Sequence, residues 1–320
     1  MIGLPALVDD RRQMLTGISC AIGASIAFSV NDMAVKFLSG DYALHQVVLI
    51  RSIIGMIFVL VFILPFAGGL GALRTRRLGA HILRALLVVV SNLLYFLGIA
   101  TLPLAETAAI FFVAPLLITA LSVPLLREKV GPRRWAAVAV GMVGVLVMLR
   151  PGGEFSAVLL LPLGAALAYA LMHMMTRRMK ATERAVTLTL YTQLTFLAVA
   201  GTMGLGFGGG VGVDDPTLAF LLRPWVWPAP WDWPILLATG LGSAIGGLLI
   251  SQAYRLCEAG LAAPFEYSAM PMAIFWGLVV FGEWPDANAW IGIALICGAG
   301  LYIGWRETRA HPLSMPAAPL

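Results

Sequence analysis

The sequence predicts an all-α integral membrane protein: ten transmembrane helices arranged as two inverted five-helix repeats. Three observations predict it. The first is composition. Of 320 residues, 60% are hydrophobic and 12% charged, with a mean hydropathy of +0.91, whereas a soluble domain carries about 25% charged residues. Lipid must therefore be the solvent, and helices are the fitting state because an open strand edge in lipid leaves backbone groups unsatisfied. The second is a repeat. Residues 104–128 and 260–283 are both apolar runs with a central proline (Pro115, Pro271) and a terminal glutamate (Glu128, Glu283), and a Trp follows seven residues later (Trp135, Trp290). The third is the placement of Lys and Arg. With ten spans and the N-terminus inside, only Lys36, Arg51, Arg150 and Arg223 of the 21 fall outside the inner segments, a strong positive-inside bias.

A spanning helix needs about 20 mostly apolar residues. Ten stretches qualify: 15–38, 44–66, 79–101, 104–126, 133–150, 157–176, 186–205, 234–255, 260–281 and 287–305. A cytoplasmic tail (1–14) precedes the first repeat, 15–150. The second repeat, 157–305, carries a Gly/Pro/Trp-rich loop at 206–233, and a cytoplasmic tail (306–320) closes the chain. The first run lacks a cleavage pattern and reads as a retained helix. An odd number of spans separates the halves' starting sides, so Glu128 is expected at the inner face and Glu283 at the outer one. Trp225, Trp227, Trp231 and Trp233 read as an interfacial belt, with a lid over the outer mouth as the other reading.

The net charge of +5 reports orientation and gives no ground for a nucleic-acid partner. The three cysteines (Cys20, Cys257, Cys297) lie in apolar runs with no metal-ligand spacing, so no metal, cofactor or disulfide is expected. No Walker A sequence, HExxH or nucleophile elbow is present, so no catalytic residue is assigned.

The combination of ten spans, two P…E…W repeats and an N-in orientation resembles the drug/metabolite transporter superfamily, EamA type. Within it, SVNDMAVKFL (29–38), QVVLIRS (46–52), HILRALL (81–87) and APFEYSAM…FGEWPD (263–286) look most like the S-adenosylmethionine uptake subgroup. The resemblance implies two EamA domains, a central cavity between them, alternating access and a bacterial inner (cytoplasmic) membrane location with both termini cytoplasmic. It implies a small-molecule substrate, an amino acid or related metabolite, with proton coupling or exchange. S-adenosylmethionine uptake is the alternative, and a membrane scaffold or lipid-acting enzyme is the alternative of another class. A homodimer is left open.

Ionisable residues within a bilayer are costly and mark pathways or pairs. Asp32 and Lys36 are four apart, share a helix face and can pair. Arg51 reaches a similar depth and Asn31 precedes the pair. They read as a cluster at the outer part of the cavity, contacting a zwitterion or forming an outer gate, or else as a structural ion pair. Superposing the halves by spacing aligns His173 with Asp32 and Tyr169 with Phe28. His173 reads as a proton carrier or as a helix-end histidine beside the inner basic cluster, in which Arg84 is counted. Glu266 has no basic residue four positions away, so it needs a proton, a substrate cation or a partner from another span; Tyr267 adjoins it. Asn92, Tyr95, Gln193 and Gln252 would add a polar wall, and Trp276 could stack on a ligand. Pro115 and Pro271 are candidate hinges. Gly242 and Gly246 are spaced for close helix contact, within the monomer or across a dimer.

Overall fold

The structure, a computed structural model, describes residues 4–67, 69, 71, 75, 77–127, 130–149, 156–179, 184–212, 215–256 and 265–310. The expected inner-face residue Glu128, the start of the 260–281 span, Cys257 and the tail beyond residue 310 lie outside them. Among the described residues the α-helices with defined bounds are α1 (Leu4–Leu38), α2 (Leu44–Phe58), α3 (Leu78–Thr101), α4 (Leu104–Phe111), α5 (Ala114–Leu126), α6 (Pro132–Leu149), α7 (Leu160–Met179), α8 (Ala185–Phe207), α9 (Pro216–Leu222), α10 (Trp233–Leu256), α11 (Ala269–Phe281) and α12 (Ala287–Ala310). No strand occurs among the described residues.

Among the described residues eight stretches are long and apolar enough to cross a bilayer: Gln13–Leu38, Leu44–Ile63, Leu78–Thr101, Leu104–Leu126, Pro132–Leu149, Ala157–Met179, Ala185–Phe207 and Pro230–Leu256. Two more, Ala269–Phe281 and Ala287–Ile303, are apolar but shorter. Large apolar side chains such as Ile57, Leu146 and Val279 stand exposed on their helices, as lipid-facing positions do. Helix α1 begins at Leu4 and so runs through most of the expected 1–14 tail. Helix α12 likewise continues into the expected 306–320 tail.

The two halves interleave. Helix α1 packs along α10, α6 along α12, α3 along α7, and α2 lies against both α8 and α10. Glycines set the closest of these approaches. A Cβ on Gly242 would come within 2.9 Å of the Ala27 carbonyl, and one on Gly246 within 2.7 Å of the Phe28 ring. The G-x-x-x-G of α10 is thus spent on α1 within the same chain.

The expected proline kinks fall elsewhere. The first apolar run breaks at Phe112 and Val113, between α4 and α5, and the second has a turn at Tyr267 and Ser268 before α11. Pro115 and Pro271 sit in the first turns of α5 and α11, where the missing N–H leaves no helical hydrogen bond unmade. The prolines therefore start second segments and do not kink a continuous helix. Both segments also end alike: Arg127 (φ 57°) after α5 and Gly282 (φ 66°) after α11 are left-handed, each directly before its glutamate.

The 206–233 loop is more ordered than its composition suggests. Pro216 opens α9, and Asp215 caps it by accepting from the Leu218 N–H at 2.9 Å. The loop is strapped to the α1–α2 turn. Tyr42 donates to Asp232 at 2.5 Å, and its hydroxyl accepts from the Ala229 N–H at 3.0 Å. Gln46 both donates to and accepts from the backbone of Val226, and Arg223 donates to the carbonyls of Ser39 and Gly40. Trp227 and Trp231 point outward (88% and 76% exposed), while Trp225 lies over Gly204.

Candidate functional site

A cavity of about 180 Å³ opens where α1, α2, α3, α4, α7, α8, α10, α11 and Glu266 before it meet. Helical spacing explains its walls. Ser25, Phe28, Ser29 and Asp32 stand at i, i+3, i+4 and i+7 on α1, and Arg84, Val88, Asn92 and Tyr95 make a second face on α3. The sequence-predicted residues Asn31, Asp32, Arg51, Asn92, Tyr95, Tyr169, Gln193 and Glu266 all line it, among ring side chains including Phe96, Phe111 and Phe196.

Arg51 anchors one network. It is 2% exposed, and its guanidinium carbon lies 4.8 Å from the ring centres of both Phe96 and Phe196. The two rings hold the cation face-on and keep water away. Its Nη2 donates to Asn92 Oδ1 at 3.0 Å and its Nη1 to Asn31 Oδ1 at 3.4 Å. Asn31 in turn donates to Asp32 Oδ1 at 3.0 Å, and the Tyr95 hydroxyl donates to Asp32 Oδ2 at 3.1 Å. Asn31 thus bridges Arg51 and Asp32, so that each charge is met by polar groups without direct ion-pair contact.

The expected Asp32–Lys36 pair does not form. Lys36 Nζ lies 2.6 Å from Glu283 Oε1 and donates to the Leu102 carbonyl at 2.7 Å. Glu283 Oε2 accepts from the Leu104 N–H at 3.0 Å, which caps α4. Lys36 is away from the cavity wall and joins α1 to the ends of α3 and α11. A carboxylate from a distant segment meets the ammonium with two further hydrogen bonds, which a neighbour on the same helix cannot supply.

Glu266 sits across the cavity. Tyr169 donates to its Oε2 at 2.9 Å and Tyr254 donates to its Oε1. No Lys or Arg among the described residues forms an ion pair with it. His173, expected at the headgroup level, is instead 4% exposed, with its ring centre 4.3 Å from those of both Tyr169 and Tyr254. It backs the tyrosines and does not line the cavity.

Arg84, expected among the inner-face charges, is instead part of the cavity wall. It is 6% exposed and lines the cavity. Its Nε donates to Thr176 Oγ1 at 2.7 Å and its Nη1 to Thr192 Oγ1 at 3.0 Å. The signal that could have found it is spacing: it lies on the Asn92–Tyr95 face of α3, two turns earlier.

The remaining predicted residues stand apart from the cavity. Tyr267 is buried in the core and donates to the Phe112 carbonyl. Gln252 accepts from Arg255 at 3.1 Å in a separate open groove. Trp276 packs edge-on to Phe275 with ring centres 5.0 Å apart. Neither proline lines the cavity. Among the described residues no group of three or more His, Cys, Asp or Glu could hold a metal.

Known proteins resemble this chain over most of its length. Residues 15–150 match the EamA-like transporter family. A riboflavin transporter of Vibrio cholerae is 27% identical over 92% of this chain and 95% of its own, and one of Rhizobium johnstonii is 28% identical over 95% and 96%. An S-adenosylmethionine uptake transporter of Rickettsia prowazekii is 23% identical over 94% and 97%. A solved crystal structure with 20% sequence identity superposes with a TM-score of 0.66, covering 93% of this chain and 99% of that one.

Proposed function

From the premise that residues 15–150 are an EamA domain of a multi-pass membrane transporter, we propose that this chain is a secondary carrier of a small organic metabolite with an apolar or planar body and charged ends, an amino acid or a related compound. In this reading it spans the bacterial inner membrane ten times as two inverted repeats, with both termini cytoplasmic, and exposes the cavity to each side in turn. Its second domain is 157–305. The observation that carries the reading is Glu266: a half-buried carboxylate on the cavity wall, held by two tyrosine hydroxyls and, among the described residues, paired with no protein cation. Burying a charge without a counter-ion is costly unless a ligand cation or a proton meets it. The ring-lined walls favour a flat or apolar body.

S-adenosylmethionine uptake is the second reading, supported by full-length similarity to carriers of that name. That molecule combines a carboxylate, a cationic sulfur and a planar base. The riboflavin transporters among the relatives favour a planar substrate in the same way.

The test is counterflow with purified protein in liposomes, screening amino acids, riboflavin and S-adenosylmethionine at several pH values. Saturable flux stimulated by substrate on the far side is expected. Absence of flux for every compound, with turnover of a lipid instead, would reverse the reading in favour of a lipid-acting enzyme.

A further inference from the structure

We propose that Arg84, with the hydroxyl of Thr189 near it, is the point in the cavity that binds an anionic oxygen group of the transported molecule, with a carboxylate as the best-fitting case. The inference rests on the carrier reading for its context but on separate observations.

Arg84 is a buried cation that meets no counter-ion among the described residues. Among the described residues its hydrogen-bond partners are two neutral hydroxyls, and no carboxylate forms an ion pair with it. Arg51, by contrast, reaches Asp32 through Asn31. Arginine has five N–H donors in a flat fork. Thr176 and Thr192 take one from Nε and one from Nη1. Those threonines donate their own protons to the carbonyls of Met172 and Leu188, so their oxygens act toward Arg84 as acceptors only. This arrangement fixes the guanidinium plane and leaves both N–H groups of Nη2 and one of Nη1 as donors for the oxygens of a carboxylate.

A second observation points to the same place. Thr189 lines the cavity, is 5% exposed, and its hydroxyl has no hydrogen-bond partner. It lies one turn from Thr192 on the same face of α8, the face that meets Arg84. A buried hydroxyl without a partner is rare and asks for one. Along α3, Arg84 lies eight residues, or about 12 Å at 1.5 Å per residue, from Asn92, where Arg51 binds. The described residues thus bring two guanidinium groups to the cavity at different levels: Arg51 reaches a carboxylate through Asn31, and Arg84 meets neutral hydroxyls.

The experiment measures binding, not flux, so that it can fail independently of the carrier reading. Thermal stabilisation of the purified protein is followed with L-phenylalanine, L-methionine and L-lysine, each against its own amide, which keeps the amine and removes the anion. At least one amino acid is expected to stabilise the wild-type protein, with its amide about 10- to 100-fold weaker, the range of one charge-assisted hydrogen-bonded contact. Arg84→Gln should lose that preference, and Arg84→Lys should recover it only in part because the fork is gone. Thr189→Val, which leaves Arg84 in place, should weaken the amino acid more than its amide, and it serves should the arginine variants fail to fold. If acid and amide bind the wild-type protein equally, or if no amino acid stabilises it while riboflavin exchanges across liposomes, the anion subsite is overturned and the carrier reading stands.

Discussion

The hydroxyl of Tyr267 donates to the carbonyl of Phe112 at 3.1 Å, and the two rings lie 5.3 Å apart. These residues belong to the two helix interruptions, one in each half of the chain. An interruption frees backbone carbonyls that a continuous helix would satisfy, and here one half supplies the donor for the other. The Tyr267 ring also fills the space over Gly300 of α12, where any Cβ would collide with it. The interruptions are thus joined to each other by a hydrogen bond and a ring contact.

Tyr267→Phe removes the donor and leaves a buried carbonyl unpaired. A stability loss of about 1–3 kcal/mol is expected, read as a lower unfolding midpoint in detergent. Counterflow rate should change more than half-saturation, since Tyr267 does not line the cavity. An unchanged rate would separate this bond from the transport cycle.

The Lys36–Glu283 pair fastens α1 to the end of α11 and the start of α4. Lys36→Met should cost about 1.5–3 kcal/mol, the worth of a hydrogen bond to a charged group, and strand Glu283. The exchanged variant, Lys36→Glu with Glu283→Lys, should recover part of the loss in a double-mutant cycle. Equal losses in the single and exchanged variants would deny the pair a specific role.

Arg51→Lys keeps the charge yet cannot span Asn31 and Asn92 or lie flat between Phe96 and Phe196. Transport is expected to fall at least about tenfold, the effect of about 1.4 kcal/mol, with normal expression. Wild-type rates in Arg51→Lys would make the planar fork irrelevant.

Glu266→Gln should remove both flux and its response to pH, because the amide can neither gain nor lose a proton in this range nor meet a cation as an ion pair. Tyr169→Phe and Tyr254→Phe should weaken flux less, since each removes one of two donors. A fully active Glu266→Gln protein would refute the assignment.

The inverted arrangement is tested by labelling. In a cysteine-free background, Glu128→Cys and Trp284→Cys are expected to react with an impermeant thiol reagent from opposite sides of the membrane. Reaction from the same side would contradict it.

Much of the fold was legible from local pattern. The length and apolarity of the spans and the Asn92–Tyr95 face follow from what one helix requires of its own residues. The matching runs with Pro115 and Pro271 read as two spans kinked at those prolines, whereas the breaks fall before them at Phe112–Val113 and Tyr267–Ser268. A proline fits the first turn of a helix as readily as its interior marks a kink, and sequence alone does not choose between them. Asp32, Arg51 and Glu266 stand out in the sequence because charge within an apolar run is conspicuous, whereas their meeting around one cavity with Arg84 does not.

The sequence by itself determined that this chain is helical, lives in lipid and carries a few charges where lipid would not accept them. Only the tertiary structure decided which of those charges meet. Spacing of four put Asp32 and Lys36 on one face, yet Lys36 found Glu283, a residue 247 positions away in the sequence numbering. Arg84 looked like one more inner-face charge until α7 and α8 closed over it. The physical reason is the same in each case. Hydropathy and periodicity are properties of a single segment, whereas the pairing of a buried charge is a competition among all groups that packing brings within reach, and that competition is settled by segments far apart in the chain.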